Sequence, residues 1–552
     1  MKITHTARIL GLLLLPLLLT SCTPASKMPI DAITLKALTN HIRTLASDKF
    51  GGRAPGTQGE TLTVNYIVNE FQKAGLQPAN GDKYTQAVPL TSVTVTNNPK
   101  LTFSGGQGAD LQLSYPQQHV IWTRKQITHS TVKNSQLVFV GYGINAPERN
   151  WNDYAAVDVK GKTVVILVND PGYASQNEAL FNGNAMTYYG RWDYKFDEAA
   201  RQGAKAAIII HDTKPAAYPW STVAASWTGP QFDLVRPNKG ANLVALEGWI
   251  GKEHAAALFD KAGLDLNAMY AAAVRPGFKA VEMNVFASAE VKNTLSNIDS
   301  QNVAALIKGS ESPDDVFIYM AHWDHIGTDS SKEGDNIYNG AKDNATGTAG
   351  LIEIAKAYAA LPQPPKRSVM FLAVTAEEQG LLGSAYYAAN PLYPLAKTIA
   401  GLNMDGLSHF GSASDVTLIS KGFSELDKYI IKHAKDQYRE VVADPKPEKG
   451  SFYRSDHFEL SKMGVPMLYA KPGYNHRGKG KAYGLQKSAE YVSTNYHRPS
   501  DEYNSSWDLT GAIEDLQLYF VTGLDIVNSG DWPKWHEGSE FKAARNKQMA
   551  GK

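Results

Sequence analysis

Val-Phe-Ile-Tyr-Met-Ala-His-Trp-Asp-His (316–325), Ser-Val-Met-Phe-Leu-Ala-Val-Thr-Ala-Glu-Glu (368–378) and Thr-Ile-Ala-Gly-Leu-Asn-Met-Asp (398–405) are apolar runs that each end in residues able to bind a metal. Short continuous apolar runs of this kind predict buried strands of a largely parallel sheet. Ligands of such sheets sit at the carboxyl ends of the strands. His322 and Asp324, Glu377 and Glu378, and Asp405 are therefore expected along one sheet edge. Between the first two runs, Lys-Asp-Asn-Ala-Thr-Gly (342–347) brings Asp343 to the start of a helix.

Imidazole plus carboxylates, without Cys, suits zinc or a similar divalent ion. Taken singly these residues have plainer readings, and Asp343 could simply cap the following helix. The adjacent pair Glu377–Glu378 is harder to explain that way. Two carboxylates at the end of a buried strand repel unless a cation or a shared proton lies between them.

His322-x-Asp324, Asp343-Asn344, Glu377-Glu378, Asn403-x-Asp405 and Tyr496-His497 resemble, in order and spacing, the motif set of the co-catalytic zinc aminopeptidase and glutamate carboxypeptidase family. The resemblance implies an α/β fold, a mixed, largely parallel sheet sandwiched by helices. It implies two zinc ions per chain, with Asp343 bridging, His322 and Asp405 completing one site, and Glu378 and His497 completing the other. Glu377 is then the unliganded general base that activates metal-bound water. Tyr496 donates to the oxyanion, and Asp324 accepts from the second ring nitrogen of His322. Asp501 is a nearby support.

His325, His409, His457 and His476 do not fall where that pattern places a ligand. Tyr-Arg-Ser-Asp-His (453–457) suggests a Ser-His-Asp triad, but triad members come from separate segments so that they can converge. Arg53, in the Gly-Gly-Arg-Ala-Pro-Gly turn (51–56), reads as a loop-ordering residue.

At 552 residues the chain is too long for one ordinary domain, and a net charge of +1 carries no nucleic-acid signature. Residues 1–21 read as a lipoprotein signal peptide. Lys2 and Arg8 precede an apolar core too short to span a bilayer, and Leu19-Thr20-Ser21-Cys22 resembles a lipobox. Cys22 is the chain's single Cys, so an internal disulfide is excluded. The expectation is a bacterial envelope protein touching the membrane only through a lipid on Cys22, at the outer membrane facing the periplasm.

Residues 22–110 and 285–530 read as the two parts of the peptidase domain, and 531–552 as a polar, loosely ordered tail. The segment 111–284 is strand-rich and carries none of the ligand motifs. Its Gly141-Tyr142-Gly143, Asp158–Lys162 and Ala199–Ala204 stretches resemble an inserted protease-associated domain. Tyr188, Tyr189, Trp192, Trp220 and Trp227 could line a cleft against the catalytic domain, with core packing expected for most of them.

The functional expectation is an exported exopeptidase acting on peptides, first an aminopeptidase. The alternatives are a carboxypeptidase of acidic dipeptides, with Arg454, Lys471 and Arg477 available to grip a carboxylate, a one-zinc glutaminyl cyclase, a peptide receptor without catalysis, or a surface scaffold. The sequence leaves the oligomeric state open.

Overall fold

The computed structural model describes Met1 and residues 28–550. The signal segment, with Cys22, lies outside the described residues.

The apolar runs form the expected strands. Arg367–Val374, Ser312–His322, Thr398–Asn403 and Met467–Pro472 lie side by side in that order, all parallel. Register sets the functional edge. Met320 stands opposite both Leu372 and Asn403, so His322, Glu377 and Asp405 emerge from the same end of the sheet. Antiparallel strands flank this centre: Val281–Ile307 on one side and Asp415–Leu418 on the other.

Helices cover both faces. On one, Leu38 and Ile42 of the helix Leu35–Leu45, Ile67 and Phe71 of Gln58–Lys73, Ile352 of Thr346–Ala359, and Leu516 and Phe520 of Thr510–Asn528 pack with Phe317, Phe371 and Leu402. Each such apolar side chain contributes about 1.5–3 kcal/mol on burial. Leu35, in the first helical turn, stays exposed. On the opposite face, Tyr387 and Leu460 pack with Met320, Leu372 and Met467.

Val281–Ile307 is a strand of 27 residues that belongs to two cores. Its second half joins the main sheet, while its first half pairs with His129–Phe139 and Leu101–Gly105. The second core takes in residues from Leu101 to Val291, wider on both sides than the strand-rich segment expected at 111–284. The helix Trp192–Arg201 packs there through Tyr194, as do Lys252–Lys261 and Leu266–Ala273, helices that a strand-rich reading of the segment does not include. Trp227 stacks on Trp122 with ring centroids 3.9 Å apart, as a core aromatic would. Tyr188 instead reaches out of this core, 5.4 Å from the ring of Phe458 beside the main sheet.

The C-terminal segment departs from the expected loose tail. Lys542–Met549 is helical, Trp535 and Phe541 are buried, and the Arg545 guanidinium donates to the carbonyls of Leu395 (3.1 Å) and Thr398 (2.8 Å). Polar composition hid two aromatic anchors and one buried cation.

Arg53 orders loops, as the sequence suggested. It is 1% exposed, and its guanidinium donates to the carbonyls of Trp323, Leu45, Asn339 and Gly340 at 2.6–2.9 Å. Burial pulls its pKa down to about 10, against the pull of Asp324, Asp501, Asp343 and Glu378. Arg53→Met would strand these carbonyls. It should destabilise the protein by about 3 kcal/mol or more, read as a lowered thermal unfolding midpoint.

Candidate metal centre

Buried polar side chains bind the separate segments of the site to one another. The Asp324 carboxylate accepts from the backbone N–H of Glu377 (3.0 Å) and of Glu378 (3.3 Å), which joins two strand ends. Asn344 donates to the Met404 carbonyl (3.0 Å) and accepts from Gly406 N–H (3.0 Å), which ties the Asp343 loop to Asp405. Asp501 accepts from the N–H of Lys342 (3.2 Å) and Asp343 (3.1 Å) and from the Tyr491 hydroxyl (3.0 Å). Gly340 must be glycine here. Its φ is +54°, and a Cβ would collide with the Asp343 carbonyl and the His325 ring.

Asp343 faces two ways. Its Oδ1 lies 3.3 Å from His322 Nε2 and its Oδ2 lies 3.3 Å from His497 Nε2. Asp405 Oδ1 is 3.8 Å from the same His322 nitrogen, and Glu378 Oε2 is 3.0 Å from His497 Nε2. Ligand atoms of His322, Asp343 and Glu378, and separately of His322, Glu377 and Asp405, lie within 4.8 Å of one another. His322, Asp343, Glu377, Glu378, Asp405 and His497 are thus brought together.

The residues fit divalent cations. His322 Nε2 is buried without a hydrogen-bond partner, yet two carboxylates face it. Four carboxylates crowd a space with two imidazoles, an arrangement that costs free energy unless cations enter it. Nitrogen and carboxylate oxygen donors are those of zinc sites.

The electrostatics of the ion-free chain follow from the same geometry. Burial opposes charge on His322, but Glu377, Asp324, Asp343 and Asp405 outweigh it and hold its pKa well above the ordinary value. His497 is raised likewise, by Glu378 and Asp343 against burial. Burial would raise Glu378, but His497 and His325 bring it down to about 2. Burial, Glu378, Asp456 and Asp405 push Glu377 well above the carboxylate range, against His322.

A pH prediction follows. Raised imidazole pKa values stabilise the ion-free fold fully below about pH 6.5, the ordinary histidine value, and that contribution is lost as pH rises through the raised values. Metal binds neutral imidazole and releases protons. The thermal midpoint of chelated protein should therefore fall as pH rises above 6.5, while the gain on adding zinc widens. A gain that shrinks with pH would contradict this.

Other expected residues fall as follows. His322 Nδ1 is 3.2 Å from the backbone carbonyl of Asp324 and 3.7 Å from its carboxylate. The carbonyl is thus the nearer acceptor for this nitrogen, with the carboxylate, which also accepts the two N–H groups, just beyond it. Tyr496 stacks on His497 at 3.8 Å and is 38% exposed. The consecutive Ser455, Asp456 and His457 diverge. Ser455 accepts from Asn403 (2.7 Å), Asp456 accepts from Ser384 (2.7 Å), and His457 packs against Phe452 and Tyr469. Arg477 turns away, donating to the Gln437 carbonyl at 2.8 Å.

Sequence reasoning passed over two neighbours. His325 Nδ1 lies 2.6 Å from Glu378 Oε1, and the Tyr469 hydroxyl donates to Asp405 Oδ2 at 3.0 Å. His325 had a signal, its place directly after His-Trp-Asp. Tyr469 had only a hydroxyl within an apolar strand. A cavity of about 290 Å³ opens above the cluster, with Asp343, Glu377 and Asp405 at its base and Arg454, Lys471 and Tyr496 among its walls.

Residues 302–521 match Peptidase family M28. Among curated proteins, the chain is 32% identical over 170 residues to "Aminopeptidase NAALADL1" of Rattus norvegicus, covering 29% of this chain and 21% of that protein. It is 41% identical over 88 residues to a "Probable zinc metalloprotease" of Pyricularia oryzae, covering 16% and 17%. The chain thus spans about a fifth of the length of the curated relatives it matches. Among solved structures, "Aminopeptidase from Aneurinibacillus sp. strain AM-1" superposes with a TM-score of 0.50 at 20% identity, over 91% of this chain and 96% of that one, which shows a shared fold. The stretch that carries all the converging imidazoles and carboxylates is therefore the stretch that matches Peptidase family M28.

Proposed function

We propose that this protein is a two-zinc exopeptidase that hydrolyses peptide bonds, first an aminopeptidase. The observation that carries the reading is the Asp343 carboxylate, with one oxygen 3.3 Å from each of two imidazoles. His322, Asp343 and Asp405 would hold one ion, and Asp343, Glu378 and His497 the other. Bound zinc supplies Lewis acidity, lowering the pKa of water and polarising the scissile carbonyl. Glu377 takes the proton from the attacking water and returns it to the leaving amine. The Tyr496 hydroxyl donates to the developing oxyanion. Asp324 holds the N–H groups of Glu377 and Glu378 and so fixes where both carboxylates point.

Export as a lipoprotein, anchored through Cys22 in the bacterial envelope, belongs to this reading and is supported by the sequence of residues 1–22. So does a protease-associated role for the second core, supported by its glycine-turn motifs. The acidic-dipeptide carboxypeptidase stands as a second reading because Arg454 and Lys471 line the cavity.

The test is a panel of aminoacyl anilides and acidic dipeptides, assayed with added zinc and after chelation. Hydrolysis that is abolished by chelation and restored by zinc is expected. Full activity in protein free of bound metal would overturn the reading.

A further inference from the structure

One wall of the cavity is built from a stretch with little regular structure of its own. Lys446, Lys449, Ser451 and Arg454 line it. The backbone there makes two turns of three residues each, Pro447–Lys449 and Ser451–Tyr453. Gly450 N–H donates to the Pro447 carbonyl (3.1 Å), and Tyr453 N–H donates to that of Gly450 (3.0 Å). Single turns of this kind are not stable alone.

The support comes from behind. Phe452 and Tyr453 are buried in an apolar cluster that the C-terminal residues Trp535 and Phe541 complete. Phe452 stacks on Phe423 with centroids 4.4 Å apart and lies 5.8 Å from Phe541. The Tyr453 hydroxyl donates to Glu540 Oε1 at 2.8 Å. Burial pushes the Glu540 carboxyl up, against the pull of that hydroxyl and of Arg149 from the second core. The second core also touches the wall directly. Met186 N–H donates to the Pro447 carbonyl (3.1 Å), and a Cβ on Gly450 would meet the Met186 sulfur at 2.7 Å. Buried Asp170 accepts from the Thr187 N–H (3.1 Å) and hydroxyl (2.8 Å), which fixes the residue beside Met186. The match to Peptidase family M28 covers residues 302–521, so both supports lie outside it.

A wall held at its back is in place only in the fraction of molecules in which those contacts are made. Apparent affinity for a ligand of the cavity falls with that fraction, while the chemistry at the metal cluster is untouched. We propose that Glu540 is a positioning residue: through Tyr453 it sets the place of the cavity wall at 446–454, and so the affinity for peptide, without touching substrate or metal. The C-terminal segment is then a working part of the site. The inference rests on the peptidase reading above for the identity of the ligand.

Glu540→Ala, Glu540→Gln, Tyr453→Phe and the double variant Glu540→Ala with Tyr453→Phe are compared with the parent. All are zinc-loaded, and the substrate is leucyl anilide or the panel member that the parent cleaves fastest. KM should rise about tenfold in Glu540→Ala and in Tyr453→Phe, the scale of one hydrogen bond to a charged group. Turnover and zinc content should stay those of the parent, as when binding alone is lost. The double variant should be no worse than either single one, since both remove the same bond. Glutamine keeps an oxygen that accepts from Tyr453, so Glu540→Gln should recover most of the loss. Hydrogen exchange of the peptide carrying 446–454 gives a readout that needs no activity. It should quicken in Glu540→Ala and Tyr453→Phe and return toward the parent in Glu540→Gln. Tyr453→Phe removes one oxygen and keeps the ring, so it stays informative if Glu540→Ala misfolds.

Parent-like KM in both single variants would overturn the proposal, whether exchange quickens or the thermal midpoint alone falls. Loss of zinc, or a fall in turnover at parent-like KM, would overturn it as well, because the pair would then act on the metal cluster. A parent protein that cleaves no peptide would sink the peptidase reading instead, and exchange alone would then uphold or overturn control of the wall by Glu540.

Discussion

Glu377→Gln should lower turnover by about 10²–10⁴-fold, the share of a single general acid–base group, while zinc content and thermal midpoint stay near those of the parent. The geometry separates these effects. The backbone N–H of Glu377, not its side chain, is held by Asp324, so the amide replacement leaves the strand end in place. His322 keeps Asp343 and Asp405 as neighbours whatever stands at 377. Glutamine preserves the volume but cannot take a proton at the side-chain oxygen. Glu377 also lies within 4.8 Å of His322 and Asp405 donors, so an alternative exists in which it is itself a ligand. Metal analysis decides between them. A Glu377→Gln protein that loses one zinc would make Glu377 a ligand. One that retains both ions and full activity would remove it from the chemistry altogether.

The sheet and the convergence of its ends were legible because they rest on strong local signals. Runs of eight or so buried apolar residues leave little choice of conformation, and the register of parallel strands then aligns His322, Glu377 and Asp405 without further information. The doubled Glu was legible because like charges in a buried place demand a reason. What escaped was long-range and polar. His325 reaches Glu378 across 53 residues, and Tyr469 reaches Asp405 across 64. No periodicity encodes such meetings. Asp324 illustrates a different limit. Its closeness to His322 was readable, but its occupation by two N–H groups belongs to the turn after Val374, which local pattern does not specify. The C-terminal helix was missed for a third reason, since a polar segment can be held by a few anchors, here Phe541 and Arg545.

Asp343→Ala should have the largest effect in the molecule, with both zinc ions lost together and hydrolysis reduced to background. Among the described residues, Asp343 is the carboxylate with separate oxygens facing His322 and His497, so its removal takes a donor from each side at once. Residues that merely support a ligand cost about 10–100-fold in metal affinity when removed, and a shared ligand should exceed that at both positions. Asp405→Ala and Glu378→Ala should each weaken one ion first, because Asp405 faces His322 alone and Glu378 faces His497. Asp343→Asn refines the comparison. It keeps the hydrogen bond from the backbone N–H at 343 to Asp501 and the shape of the side chain, but leaves one oxygen acceptor and no charge. Zinc per chain, measured by elemental analysis after dialysis against limiting metal, should fall to between one and zero in Asp343→Asn and to zero in Asp343→Ala. Retention of two ions by Asp343→Ala would show that the imidazoles are bridged by something else, and the two-zinc reading of this cluster would fail with it.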